Sequence, residues 1–258
     1  SIINQQELNQ PMPEIFTLIT VFLIGIAASY IGAIAGGGGL ISIPFLIFTG
    51  LPPHVAIATN KLGALGLNIA VIPKFWKEKQ IVWKYVLPFT IIGIFGAFIG
   101  ASLLIQINKD AITKVVGILI LLLLPLFFLK KELGTKRIKV GKVKLFFGYI
   151  AYTLLMIFGG FFGAAGAIRS FILMYFFGVT IIESNATHRI PWLIGTIIAL
   201  SVFMYNGIVN YSSGIALCLG MAIGGYLGAH TAVKKGNQWV KAFFTVIVII
   251  SAIKILFF

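Results

Sequence analysis

The sequence predicts an all-α polytopic membrane protein, an inverted-topology repeat of two five-segment halves, each with a short broken or re-entrant second segment. Three observations predict it. Hydrophobic residues make up 59 % of the 258, charged residues only 10 %, and mean hydropathy is +1.06; a soluble core of this length is far more polar. A glycine-and-cation element occurs twice, 128 residues apart: Gly32 superposes on Gly160, Gly38 on Gly166, Gly50 on Gly178, Ala58-Thr59 on Ala186-Thr187, and Lys61 on Arg189. Finally, most of the 20 cations fall in three loops.

Taken in order, residues 1–13 are polar, lack the basic start of a signal peptide and are expected to form an extramembrane tail. The first repeat, 14–129, resolves into apolar segments at roughly 14–35, 40–50, 53–73, 81–105 and 111–129. A basic linker occupies 130–144, and the second repeat, 145–258, has segments near 145–163, 167–178, 182–206, 212–233 and 239–257. The longer segments approach the ~20 apolar residues that cross a bilayer as helix. The second segment of each half offers about 17 Å of helix, short of a hydrocarbon core of about 30 Å. Ten-residue stretches of alternating polarity are absent, which argues against a β-barrel.

The three basic loops hold Lys74, Lys77, Lys79 and Lys84; then Lys130, Lys131, Lys136, Arg137, Lys139, Lys142 and Lys144; then Lys234, Lys235 and Lys241. The tract 206–213 has no cation. That bias is expected of cytoplasmic loops in a cell (inner or plasma) membrane, with the N-terminus outside. Five segments per half then set the two copies in opposite orientations, the plan that supports alternating access. The net charge of +14 does not point to nucleic acid, because no recognition module or interleaved aromatic pattern accompanies it.

The doubled element carries the chemistry. Gly36, Gly37, Gly38 and Gly39 in succession do not continue a helix, each costing about 1 kcal/mol relative to alanine. They are expected to break the chain deep in the membrane, where the N-terminus of the next short helix presents free N–H groups to an anion. In the second copy Gly163, Ala164, Ala165, Gly166 and Ala167 stand in the equivalent place. Lys61 and Arg189 lie about 12 Å into their segments, and a cation at that depth points to function. A structural pairing is the alternative, with Glu183 as a partner for Arg189. Thr59, Asn60, Thr187 and His188 add candidate donors to an oxyanion. Arg169 replaces the apolar Ile41 of the first copy, either as a functional asymmetry or as a side chain snorkelling from a helix end.

Absences narrow the class. None of the six acids, Glu7, Glu14, Glu78, Asp110, Glu132 and Glu183, sits squarely within a predicted span, so a carboxylate proton relay is not expected. Cys218 is the single cysteine, and no metal-ligand spacing or nucleophile–base pair appears, which disfavours an enzyme.

The run Gly32 to Pro44, with Gly36–Gly39 at its centre, followed by Gly50-Leu51-Pro52-Pro53 and Ala56 to Asn60, resembles the TauE/SafE family of sulfite and sulfonate exporters. The likeness continues more weakly from Gly160 to Arg189 and covers essentially the whole chain. It implies efflux or exchange of small sulfur-containing or organic anions, with no cofactor; the partners implied are the anionic substrate and the lipid bilayer. An anion channel, or a membrane subunit of a larger complex, stays open at this point, as does a homo-oligomer.

Overall fold

The computed structural model describes residues 14–36, 38–106, 133–162 and 166–257. Nine helices cover them: α1 Glu14–Ala35, α2 Gly39–Phe48, α3 Pro53–Lys77, α4 Trp83–Gln106, α5 Lys142–Phe162, α6 Gly166–Phe177, α7 Ile181–Thr187, α8 Arg189–Tyr205 and α9 Tyr211–Phe257. No strand occurs among the described residues. The segment expected at 111–129 and the first part of the basic linker lie outside them.

Two boundaries differ from expectation. The single span expected at 182–206 is α7 and α8, broken at His188. Thr180 starts α7 with a capping box, its hydroxyl accepting from Glu183 N while the Glu183 carboxylate accepts from Thr180 N. Pro191 follows the break, has no N–H to offer the carbonyl of Thr187, and so loosens the ladder there. The residues Lys142 to Lys144, assigned above to the linker, form the first turn of α5. The last two expected segments are the limbs of α9 on either side of Gly236, whose φ of 81° and ψ of 174° interrupt the helix.

The 128-residue period governs where helices start and stop. Glu14 and Lys142 open α1 and α5, Pro53 and Ile181 open α3 and α7, Lys77 and Tyr205 close α3 and α8, and Trp83 and Tyr211 open α4 and α9. The turn after each third span is built the same way. Lys79 N donates to Trp76 O at 2.9 Å and Gln80 N to Phe75 O at 3.0 Å; Gly207 N donates to Met204 O at 3.0 Å and Ile208 N to Phe203 O at 3.1 Å. Lys79 and Gly207 both have positive φ, 54° and 66°, as do Gly50 and Gly178, 96° and 68°.

Packing exchanges the halves. α1 lies along α9 and α5 along α4; α3 contacts α9 and α8 contacts α4; α3 and α8 meet each other. Each of these contacts has a counterpart under the 128-residue shift. Small residues let the backbones close: a side chain at Gly224 of α9 would collide with the Ile26 carbonyl of α1, and one at Gly96 of α4 with Met156 and Ile157 of α5. Six stretches are long and apolar enough to cross a membrane, with Gly39–Phe48 and Ile168–Phe177 as shorter apolar helices. Leu87, Phe95, Val143 and Leu154 project outward as a lipid-facing surface. The polar groups turn inward. Lys61, Asn68, Arg169, Asn185, His188 and Arg189 are all buried.

Candidate functional site

The two glycine-rich breaks meet. Gly36 ends α1 with φ of 71°, and a Cβ built there would lie 3.0 Å from the carbonyl carbon of Gly166. Only glycine holds that backbone conformation without strain while letting another main chain come so close. Gly38 lies against the Ala28 carbonyl and Gly39 opens α2. Gly37, Gly163, Ala164, Ala165 and the Ala167 side chain fall outside the described residues.

Three cations converge near these breaks, and each has a different environment. Lys61, 2 % exposed, reaches from α3 to the last turn of α5, where Nζ donates to the Gly159 carbonyl at 2.6 Å. Arg189, 3 % exposed, reaches from α8 to the last turn of α1, where Nη2 donates to the Gly32 carbonyl at 2.9 Å. Its Nη1 approaches Asn68 Oδ1 at 3.4 Å, and its Nε has no partner among the described residues. The alternative, a pair with Glu183, does not form. Glu183 binds Arg137 instead, with Nε at 2.7 Å and Nη2 at 2.5 Å, and that carboxylate raises the pKa of the loop guanidinium above its ordinary value. Lys61 and Arg189 therefore each neutralise the negative end of the other half's first helix.

Arg169 does not snorkel. It is 4 % exposed in the first turn of α6, and its guanidinium lies 4.5 Å from the centroid of the Trp192 ring. Lys61 Nζ lies over the same ring at 4.7 Å. Both distances are those of cation–π contacts. Nε and Nη1 of Arg169 have no hydrogen-bond partner among the described residues, and neither does either ring nitrogen of His188, which meets Trp192 edge-on at 6.0 Å. Tyr152 is fully buried, stacked on Phe89 at 4.0 Å, and its hydroxyl is also unpartnered. It is near enough to Arg169 to interact with its charge.

The hydroxyls of the repeated Ala-Thr pair serve as reciprocal acceptors. Thr59 Oγ1 takes the Asn210 N–H at 3.0 Å and Thr187 Oγ1 takes the Val82 N–H at 2.9 Å, and Val82 and Asn210 are themselves 128 residues apart. Asn60 accepts from Ser42 Oγ at 2.5 Å, while Ser170, the counterpart of Ser42, donates to Asn185 Oδ1 at 3.1 Å. These contacts pin the third span of each half to its neighbours.

Of the side chains singled out from sequence, Lys61, Arg169, His188 and Arg189 form one buried cluster, and Thr59, Thr187 and Asn60 hold the helices around it. Trp192, Tyr152, Asn68 and Gly159 were not singled out. A signal for Trp192 existed, since it follows His188 by four residues and Arg189 by three, one face of a helix. Tyr152 had none, because it arrives from another helix. Among the described residues no carboxylate touches the cluster. Three buried cations without an acid are costly, since an uncompensated charge loses its hydration. Chemically, the arrangement offers positive charge and orphaned N–H and O–H groups shielded from the surface, the features an oxyanion needs.

Comparison with known proteins agrees with a membrane role. The model of the family described as Sulfite exporter TauE/SafE matches residues 21–255. The chain is 30 % identical over 230 residues to a "Probable membrane transporter protein" of Haemophilus influenzae, covering 87 % of this chain and 88 % of that one. It is 26 % identical over 238 residues to "Probable membrane transporter protein YfcA" of Escherichia coli, covering 92 % and 88 %. With "Probable membrane transporter protein YunE" of Bacillus subtilis it shares 23 % over 269 residues, covering 93 % and 98 %. No solved structure matches the chain.

Proposed function

The chain belongs to the Sulfite exporter TauE/SafE family and is a membrane transporter rather than an enzyme; on that premise we propose that it carries small sulfur-containing or organic anions, of sulfite or sulfonate type, by alternating access. The observation that carries the proposal is the carboxylate-free cluster in which Lys61 and Arg169 share the Trp192 ring, with Arg189 near Arg169 and tied to the Gly32 carbonyl. Arg169 is the residue that grips the anion, because its Nε and Nη1 are unclaimed. Lys61 and Arg189 supply field while staying tied to helix carbonyls.

The chemistry of the donors favours a fully ionised oxyanion. Arg169, Arg189 Nε and the Tyr152 hydroxyl donate, and a sulfonate has three oxygens that only accept. Hydrogenphosphate also brings an O–H that needs an acceptor, for which the cluster offers a His188 ring nitrogen and the Tyr152 oxygen but no carboxylate.

Alternating access is supported by the 128-residue period in helix boundaries and by the reciprocal bonds of Thr59 and Thr187. In this reading the halves are inverted, the basic loops are cytoplasmic, the N-terminus is outside, and the halves rock about the site. Flux of sulfite into proteoliposomes tests the function, with Lys61→Met and Arg189→Met beside the wild type. Loss of flux in both is expected; unchanged anion transport in both would refute it.

A further inference from the structure

At the far end of α3, away from the cation cluster in sequence, the turn into α4 borders an open recess of about 520 Å³ lined by Pro73, Trp76, Lys77, Lys79, Ile81 and Trp83. We propose that this recess is a binding site for one anionic phospholipid, its phosphate held by Lys77 and Lys79 and its glycerol and upper acyl chain against the two tryptophans.

Charge bookkeeping singles out two of the lysines. Glu78 is the one acid of the turn, and Lys74 claims it at 2.8 Å. Lys77 and Lys79 are exposed and make no ion pair among the described residues. Trp76 and Trp83 meet edge to face at 5.9 Å, both more than half exposed, at the ends of two spans. Tryptophan at such a level lies where headgroups meet hydrocarbon. Lysines beside an apolar wall match a phosphate carried on an acyl chain better than a free phosphate, which has no use for the wall.

The counterpart turn shows that the fold does not demand these residues. Shifted by 128 residues, Trp76, Lys77, Lys79, Ile81 and Trp83 become Met204, Tyr205, Gly207, Val209 and Tyr211, with the same backbone hydrogen bonds and no cation. The contrast is sharpest at Lys79. Its φ of 54° lies in the left-handed region, where the other turn places Gly207 at 66°. Glycine adopts that conformation freely and lysine does not. Lys79 thus places a charge where the other turn has glycine, at the cost of some strain.

Quenching of tryptophan fluorescence by brominated lipids tests the site in the full reconstituted chain, comparing brominated phosphatidylglycerol with brominated phosphatidylcholine. The wild type should prefer the anionic lipid about tenfold, given two lysines at the surface. Trp76→Phe/Trp83→Phe should lose the differential signal. Lys77→Gln/Lys79→Gln should lose the preference, whereas Lys142→Gln/Lys144→Gln, removing equal charge elsewhere, should keep it. Equal quenching by the two lipids in the wild type, equal loss in both lysine variants, or displacement of the preference by millimolar inorganic phosphate would each overturn the proposal. Sulfite flux by Lys77→Gln/Lys79→Gln in neutral-lipid vesicles should match the wild type, which separates this site from the transport reading.

Discussion

Arg169 lies 4.5 Å over the ring of Trp192 with Nε and Nη1 unpartnered and buried. The ring holds the guanidinium on one face, and its outward N–H groups stay free. Lys61 shares that ring at 4.7 Å, so one aromatic side chain positions two charges from different halves. In the proposed reading the duplicated Lys61 and Arg189 frame the anion site, and the unduplicated Arg169 gives it its chemistry.

Removing the platform should weaken binding without dismantling the fold. Trp192→Leu is expected to raise the sulfite concentration for half-maximal flux about tenfold, since each cation–π contact is worth roughly 0.5–2 kcal/mol. Trp192→Phe should fall between. Concentration series in proteoliposomes check the order, and a wild-type profile for Trp192→Leu would count against the platform.

The reciprocal threonine bonds predict matched losses. Thr59→Val leaves the Asn210 N–H without its acceptor and Thr187→Val does the same to Val82. Each should destabilise by about 1 kcal/mol, the low end for an orphaned and only partly buried donor. Thermal unfolding in detergent gives both values, and a neutral result for one alone would contradict the equivalence of the two halves.

Gly36→Ala tests the meeting of the broken elements. A methyl group there both requires an αL alanine and presses on the Gly166 backbone. The expected cost is about 1–3 kcal/mol, with sulfite flux reduced as well. Melting temperature and flux should fall together; a protein as stable and active as the wild type would show that the contact is dispensable.

Much of this was legible in the residues. The apolar segments at 14–35, 53–73 and 81–105 became α1, α3 and α4 because composition alone decides which stretches can leave water. Lys61 and Arg189 stood out because a cation in an apolar run is rare. The break at His188 was missed because the apolar pattern runs through it, and the decisive element, Pro191, also suits the first turn of a helix. What a side chain meets in another helix was not legible at all. Arg189 has Glu183 six residues before it in sequence, yet its partner is the Gly32 carbonyl, because long-range packing and not proximity along the chain brings groups together. Tyr152 stayed hidden for the same reason.

The most direct measurement is equilibrium binding of radiolabelled sulfite to the purified protein, alongside its melting temperature, for the wild type and Arg169→Met. If Arg169 grips the anion, Arg169→Met loses binding at least tenfold while its melting temperature holds or rises, because a buried charge without a partner costs stability when no ligand is bound. Unchanged sulfite binding, or a melting temperature that drops sharply together with binding, would make Arg169 a structural residue and contradict the account.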